Sequence, residues 1–120
     1  MLESVFPTDT NPRGNLFGGT MVAWMDKAAG YAALRHARTA VVTAAIDRIE
    51  FAVAVSVGDM IELSAEVQKV GRSSMQVLVE AWREPRDGSE RELCTRGEFT
   101  IVAVDDDGRP SPVPPLPNDD

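Results

Sequence analysis

The sequence predicts an α+β fold in which a long antiparallel sheet wraps around one long helix. Residues 20–37 are rich in apolar residues and contain no proline, which is typical of a helix of about five turns. Four later segments alternate apolar and polar residues, which is the period of a β-strand. The first half of the helix is apolar all round, so we expect the sheet to bury it on most sides.

The predicted helix has recognisable start and stop signals. It follows a loop in which "NPRG", residues 11–14, has the proline and glycine of a tight turn. The loop ends at Gly18 and Gly19. Arg35, His36 and Arg38 gather at the far end, where cations complement the carbonyl end of the helix dipole. This structural role accounts for His36, the only histidine.

The remaining elements are strands joined by short, turn-like connections. Successive strands with such connections are expected to pair antiparallel. The predicted strands cover residues 2–7, 41–51, 61–68, 75–82 and 93–104. We therefore assign residues 1–104 to one domain.

Residues 105–120 form an acidic, proline-rich C-terminal tail. This segment holds five of the eight prolines and five of the 19 acids. Its composition predicts a flexible, solvated extension rather than part of the core.

Composition excludes several classes of function. Cys94 is the only cysteine, so no internal disulfide or cysteine-rich zinc site is expected, and one histidine is too few for a histidine-based metal site. The net charge of −7 lies mostly in the tail, and the nearly neutral body argues against nucleic-acid binding. No membrane span or secretory signal is apparent, which predicts a cytoplasmic location.

Asp26 is a single acid inside the apolar helix. None of its neighbours three and four positions away carries a cation or a side-chain donor. These neighbours are Val22, Ala23, Ala29 and Gly30. Two interpretations stay open: a carboxylate on a solvated stripe or paired at a distance, and a carboxyl used in proton transfer or attack.

The loop before the helix offers partners for such a carboxylate. Gly18 and Gly19 leave backbone N–H groups free at the helix N-terminus, where they can hold an oxyanion, or they simply form a tight entry into the helix. Asn11 can orient a water or a carbonyl, or stabilise the turn. Asp26 lies roughly 10 Å along the helix from Gly19, which points to a site completed across a dimer interface.

These motifs together resemble the acyl-CoA thioesterase branch of the hotdog-fold superfamily. The resemblance covers about residues 5–104 and rests on "TNPRGNLFGG", the helical "MD", the strand "VVT" and "VGRSSM". It implies a central helix wrapped by the sheet, a homodimer with a continuous sheet, and hexamers built as trimers of dimers. It also implies an acyl-CoA substrate and no cofactor or metal.

The resemblance further implies roles for individual residues. Asp26 would be the catalytic general base or nucleophile, Asn11 would come from the opposite subunit, and the Gly19 N–H would polarise the thioester carbonyl. Gly18 would adjoin that oxyanion site. The implied coenzyme A contacts are Thr43, Lys69, Arg72, Ser73 and Ser74, although a Gly-Arg-Ser-Ser segment is also an ordinary turn and Thr43 an ordinary strand residue.

Alternatives from other classes remain at this stage. One is a module that binds acyl-CoA without cleaving it, and another is an interaction protein that recruits partners through its proline-rich tail. A hotdog dehydratase fits less well, because His36 is far from Asp26. The acyl chain length is open: Met21, Trp24, Met25 and Tyr31 line a tunnel or belong to the core.

Overall fold

The computed structural model describes residues 1–117, so the last three residues of the predicted tail lie outside it. One short 3₁₀ turn, Pro7–Asp9, precedes the helix. The named elements are β1 (Leu2–Ser4), α1 (Gly18–Ala37), β2 (Val41–Phe51), β3 (Met60–Val70), β4 (Ser74–Glu84) and β5 (Glu92–Ala103).

The fold is the predicted α+β arrangement, with one helix packed on a five-stranded antiparallel sheet. The strand order is β1-β3-β4-β5-β2. Alternate residues of the strands face the helix and form the core, as their period of two requires. Met21 and Met25 on α1 meet this layer and are buried, so both are core residues. Buried residues of the sheet layer include Ile61, Met75, Val77, Val79, Phe99 and Ile101.

The expectation that successive strands pair is confirmed for β3, β4 and β5 but wrong for β2. β2 pairs with β5 at one edge of the sheet, so the chain must pass β5 and β4 before it reaches β3. Residues 52–59 make this crossing beneath the helix N-terminus, where the Leu16 N–H donates to the Val55 carbonyl. The buried Asp59 closes the crossing by accepting from the Ser56 N–H and from Arg83 Nε, both at 2.9 Å.

One flank of α1 and the adjoining strand β2 are left uncovered in the single chain. Ala23, Lys27 and Tyr31 are exposed on the helix. β2 is the last strand of the sheet, and Ile46 and Phe51 on it are 41% and 55% exposed. A long edge strand with exposed apolar side chains offers unpaired backbone groups to another strand. The first half of the helix is therefore buried on most sides, as predicted, and is open along this one flank in the single chain.

The described part of the tail, residues 105–117, runs back along the body. The Ser111 N–H donates to the Ala103 carbonyl, and the Val113 N–H donates to the Arg72 carbonyl. The Val113 side chain packs against the core. His36 Nε2 lies 2.7 Å from the Pro114 carbonyl oxygen and donates to it, so His36 joins the helix end to the tail.

Candidate functional site

The N-terminus of α1 presents backbone donors that have no acceptor among the described residues. The helix begins at Gly18, and the cap residue Phe17 supplies no side-chain bond. Met21 is the first residue of the helix whose N–H donates to a backbone carbonyl, that of Phe17. The Gly18 and Gly19 amides remain free, and nothing lies within 4 Å of the position that a Cβ on Gly19 would occupy. An electronegative atom can approach this helix end closely.

Asn11 stabilises the loop in front of the helix and keeps a donor available. Its Oδ1 accepts from the N–H groups of Arg13, at 2.9 Å, and Asn15, at 3.2 Å. The Gly14 N–H donates to the Asn11 carbonyl and closes the predicted turn, with Gly14 at a φ of 82°. Because its oxygen is held by two bonds, the Asn11 side chain has a defined orientation, and its amide N–H₂ group donates to no acceptor among the described residues. The structural interpretation of Asn11 is confirmed, and it is compatible with a second role for the amide.

Asp26 lies on the uncovered flank of α1 and is held by β2. Thr43 Oγ1 donates to Asp26 Oδ1 at 2.6 Å, which is short and typical of a hydroxyl bonded to a carboxylate. Asp26 is half-buried and Thr43 exposed in the single chain. Seven residues make almost two whole helical turns, so Asp26 projects from the same side of α1 as Gly19. The carboxylate is therefore oriented by a strand residue and still reachable.

The cationic and hydroxyl residues predicted to hold coenzyme A lie together at the connection of β3 and β4. The Gly71 N–H donates to the Ser74 carbonyl, and the Ser73 carbonyl accepts from the Ala103 N–H. Lys69 and Arg72 are exposed. The sheet is irregular here, because the register between β3 and β4 shifts between Val67 and Lys69. Both cations project from a well-anchored turn into solvent.

The predicted residues form two groups at opposite ends of β2. Thr43 lies opposite Ile101, which lies opposite Met75, so Asp26 and the Ser73 turn share one end of the sheet. At the other end, the ring of Phe51 packs over Gly18. The eight steps along the chain from Thr43 to Phe51 span about 25 Å of extended strand. One chain thus places Asp26, Thr43 and Arg72 in one group and Asn11, Gly18 and Gly19 in another.

The single cysteine and the single histidine are both engaged in other contacts. Cys94 is fully buried and donates to the Ala81 carbonyl, and burial raises the pKa of its thiol above the ordinary value. A protonated buried thiol is a poor nucleophile. His36 is engaged by the tail. Within residues 1–117, His, Cys, Asp and Glu side chains nowhere form a group of three or more suited to a metal ion.

The sequence did not single out Phe51, which lines an apolar groove beside Gly18. Its place in the alternating strand "DRIEF" predicts only an inward-facing residue. In the single chain Tyr31 is exposed, and Trp24 packs at the border of the core. No helix among the described residues has both the length and the apolar character needed to cross a membrane.

Comparison with known proteins agrees with this architecture. The family profile described as "Thioesterase superfamily" matches residues 13–89. A Zymomonas mobilis protein named uncharacterized acyl-CoA thioester hydrolase is 47% identical over 110 residues, which cover 92% of this chain and 74% of that protein.

Solved structures of similar proteins superpose closely. The crystal structure of an apo-hexameric acyl-CoA thioesterase matches with a TM-score of 0.92 and 43% identity, covering 96% of this chain and 74% of that one. An acyl-CoA hydrolase from Staphylococcus aureus, solved with butyryl coenzyme A and coenzyme A, matches with a TM-score of 0.92 and 37% identity over 100% of this chain and 74% of that one. The profile spans more than half of the chain, and both the fold and the level of identity agree with it. The chain therefore belongs to the thioesterase superfamily, as a hotdog-fold member related to the acyl-CoA thioester hydrolases.

Proposed function

We propose that this protein hydrolyses an acyl-CoA to a free carboxylic acid and coenzyme A, with Asp26 as the catalytic carboxylate. The observation that carries the proposal is the short bond from Thr43 to Asp26, which orients a carboxylate in a chain that also bears a free Gly19 amide. This arrangement supplies an oriented carboxylate and an oxyanion donor, which are the two groups that thioester hydrolysis needs.

The proposed reaction follows from these two groups. The Gly19 N–H donates to the thioester carbonyl oxygen and stabilises the negative charge that forms there. Asp26 either removes a proton from the attacking water or attacks the carbonyl carbon itself, giving a mixed anhydride that water then opens. In both cases the carbon–sulfur bond breaks, coenzyme A leaves as a thiolate that takes up a proton, and water supplies the new acid oxygen. The reaction requires no cofactor.

The exposed edge of β2 supports a homodimer that completes the site. β2 carries exposed Val42, Ile46 and Phe51 at the end of the sheet. If two copies of β2 pair antiparallel about a twofold axis near Ile46, the sheet becomes continuous. The Phe51 end of one strand then lies beside the Thr43 end of the other. This pairing brings Gly19 of one subunit towards Asp26 of the partner subunit.

The same dimer accounts for the other predicted residues. Asn11 lies in the Gly19 group, so it faces the carboxylate of the opposite subunit and offers its amide to the carbonyl or the water. Lys69 and Arg72 lie in the Asp26 group and are placed to meet the phosphates of coenzyme A, with Ser73 and Ser74 as further donors. Assembly of three such dimers into a hexamer is part of the proposal, in view of the hexameric relative. A cytoplasmic location stays a prediction of the sequence.

The direct test is release of coenzyme A thiol from acyl-CoAs of increasing chain length. We expect hydrolysis of at least one acyl-CoA. Tight binding of acyl-CoA without turnover would contradict the proposal and favour the binding-module interpretation. Deletion of residues 105–120 with loss of a protein partner, but with no hydrolysis by either form, would favour an interaction protein.

Thr43→Val tests whether Thr43 positions the carboxylate. The variant keeps the shape and removes the hydroxyl that donates to Asp26. We expect kcat to fall about tenfold with KM nearly unchanged, as the loss of one charge-assisted hydrogen bond implies. Thr43→Ser keeps the hydroxyl and should retain most of the activity. An equal loss in both variants would mean that packing of the strand, rather than the bond to Asp26, matters.

Mixing two inactive variants tests the shared site. In a mixed dimer of Asp26→Asn and Asn11→Ala chains, one site combines the intact Asp26 of one subunit with the intact Asn11 of the other. After subunit exchange at equal amounts, half of the dimers are mixed and half of their sites are intact. We expect recovery of about a quarter of native activity, as twofold symmetry requires. No recovery despite mixed dimers, detected by mass spectrometry, would mean that each site uses a single chain.

A further inference from the structure

An apolar groove runs beside the N-terminus of α1, and the proposed reaction does not use it. Its volume is about 360 Å³, and one end is bounded by Gly18, next to the proposed oxyanion donor. All but two of its lining residues are glycine or apolar residues. The lining consists of Asn15, Leu16, Gly18, Met21, Phe51, Ala52, Val53, Ala54, Val55 and Thr95.

Two side chains define the wall and the floor of this groove. The Phe51 ring forms a wall at the helix end, because a Cβ placed on Gly18 would lie 3.5 Å from it. Met21 is 2% exposed and belongs to both the core and the groove. Phe51 pairs with the buried Thr95 on the neighbouring strand, so both side chains lie on the helix side of the sheet. Phe51 is nevertheless 55% exposed. The fold thus leaves an aromatic ring against an open apolar space.

The position of the groove determines which part of a thioester can occupy it. The acyl chain is bonded to the carbonyl carbon, whose oxygen is assigned to the Gly19 amide in the proposed reaction. Gly18, the neighbour of Gly19 in the chain, lines this apolar groove. No lysine or arginine lines the groove, so the phosphate-bearing end of coenzyme A is not suited to it.

We propose that this groove binds the apolar acyl chain and that Phe51 determines which chain lengths are accepted. This inference rests on the proposed function, because it takes an acyl thioester as the ligand. The Phe51 ring limits the space that the chain can occupy in the groove. The chain is held by burial of its methylene groups, since the lining offers few polar partners.

Binding of S-alkyl coenzyme A thioethers tests the inference without hydrolysis. We would measure Kd by calorimetry for alkyl chains of two to twelve carbons. For the native protein, each methylene that fits in the groove should lower Kd by about fourfold. Beyond the longest chain that fits, further methylenes should give no further decrease in Kd. Phe51→Ala should weaken binding of the shortest thioethers. It should also increase the chain length beyond which Kd stops decreasing. Ala52→Leu, which fills part of the groove, should decrease that limiting chain length.

Phe6→Ala is the matched control, since Phe6 is a similarly exposed phenylalanine, at 62%, that does not line the groove. Unchanged chain-length profiles in both groove variants would overturn the inference, as would an equal shift in Phe6→Ala. Should Phe51→Ala fail to assemble like the native protein by gel filtration, the opposite shift expected of Ala52→Leu decides.

The outcomes separate this inference from the proposed function. If the protein hydrolyses acyl-CoA but neither groove variant changes its chain-length preference, the proposed function stands and the assignment of the groove to the acyl chain is overturned. If both variants shift the chain-length dependence of thioether binding but no acyl-CoA is hydrolysed, the groove stands as a binding site and the proposed hydrolase activity is overturned.

Discussion

Asp26→Asn is expected to lower kcat for acyl-CoA hydrolysis by roughly 10²- to 10⁴-fold, the usual contribution of a general base. Asparagine has the shape of aspartate, and its amide oxygen can still accept from Thr43, which donates to Asp26 at 2.6 Å. The helix and the β2 contact should therefore persist, and only the basic and nucleophilic oxygen is lost. The measurement is steady-state thiol release together with the mass of the oligomer in solution.

A charge-matched variant separates catalysis from a change in net charge. Asp106→Asn removes one acid from the exposed part of the tail and should leave kcat unchanged. Full activity of Asp26→Asn would mean that Asp26 is structural and that another group activates water. If both variants lose activity together with the oligomer, the effect is on assembly rather than on the reaction.

Gly19→Pro is expected to lower kcat by roughly 10²- to 10³-fold, the usual effect of removing one oxyanion donor. Proline has no N–H, and it is tolerated in the first turn of a helix because the amides there have no partner inside the helix. In this chain the Gly19 amide donates to no acceptor among the described residues, so no structural bond is broken. The loss should appear in kcat and leave the thermal unfolding midpoint within a few degrees of that of the native protein.

Gly19→Ala provides the control, because it adds a side chain and keeps the N–H. Nothing lies within 4 Å of the position of the added Cβ, so the alanine variant should keep its activity within a few-fold. Equal losses in the two variants would indicate crowding of the substrate rather than loss of a donor. Full activity of Gly19→Pro would remove this amide from the mechanism.

Local patterns were sufficient for much of the fold and for the candidate residues. The α1 segment is predicted by its apolar composition, and β3 to β5 by their period of two, because both signals depend on residues close together in sequence. Asp26 stands out because an acid without a local partner is unusual in an apolar helix. The tight turn that begins at Asn11 is likewise a local feature.

Features that depend on distant residues were not predicted. The pairing of β2 with β5 requires the crossing at residues 52–59, which local turn signals do not distinguish from a hairpin. The bond from Thr43 to Asp26 joins a strand to the helix across the fold, and the apolar groove at Phe51 exists only because the helix N-terminus stops beside that strand end. The contacts of Val113 and Pro114 with the body are equally non-local.

By itself, the sequence determined the α+β class, the single helix and the unusual acid within it, because secondary structure and burial follow from periodicity and composition. The resemblance carried by its motifs then identified the family. Tertiary structure alone decided that Thr43 holds Asp26, that Phe51 packs over Gly18 at the other end of β2, and that this strand is a free edge. Strand order depends on which distant surfaces pack best, and this competition leaves no mark in any single stretch of sequence.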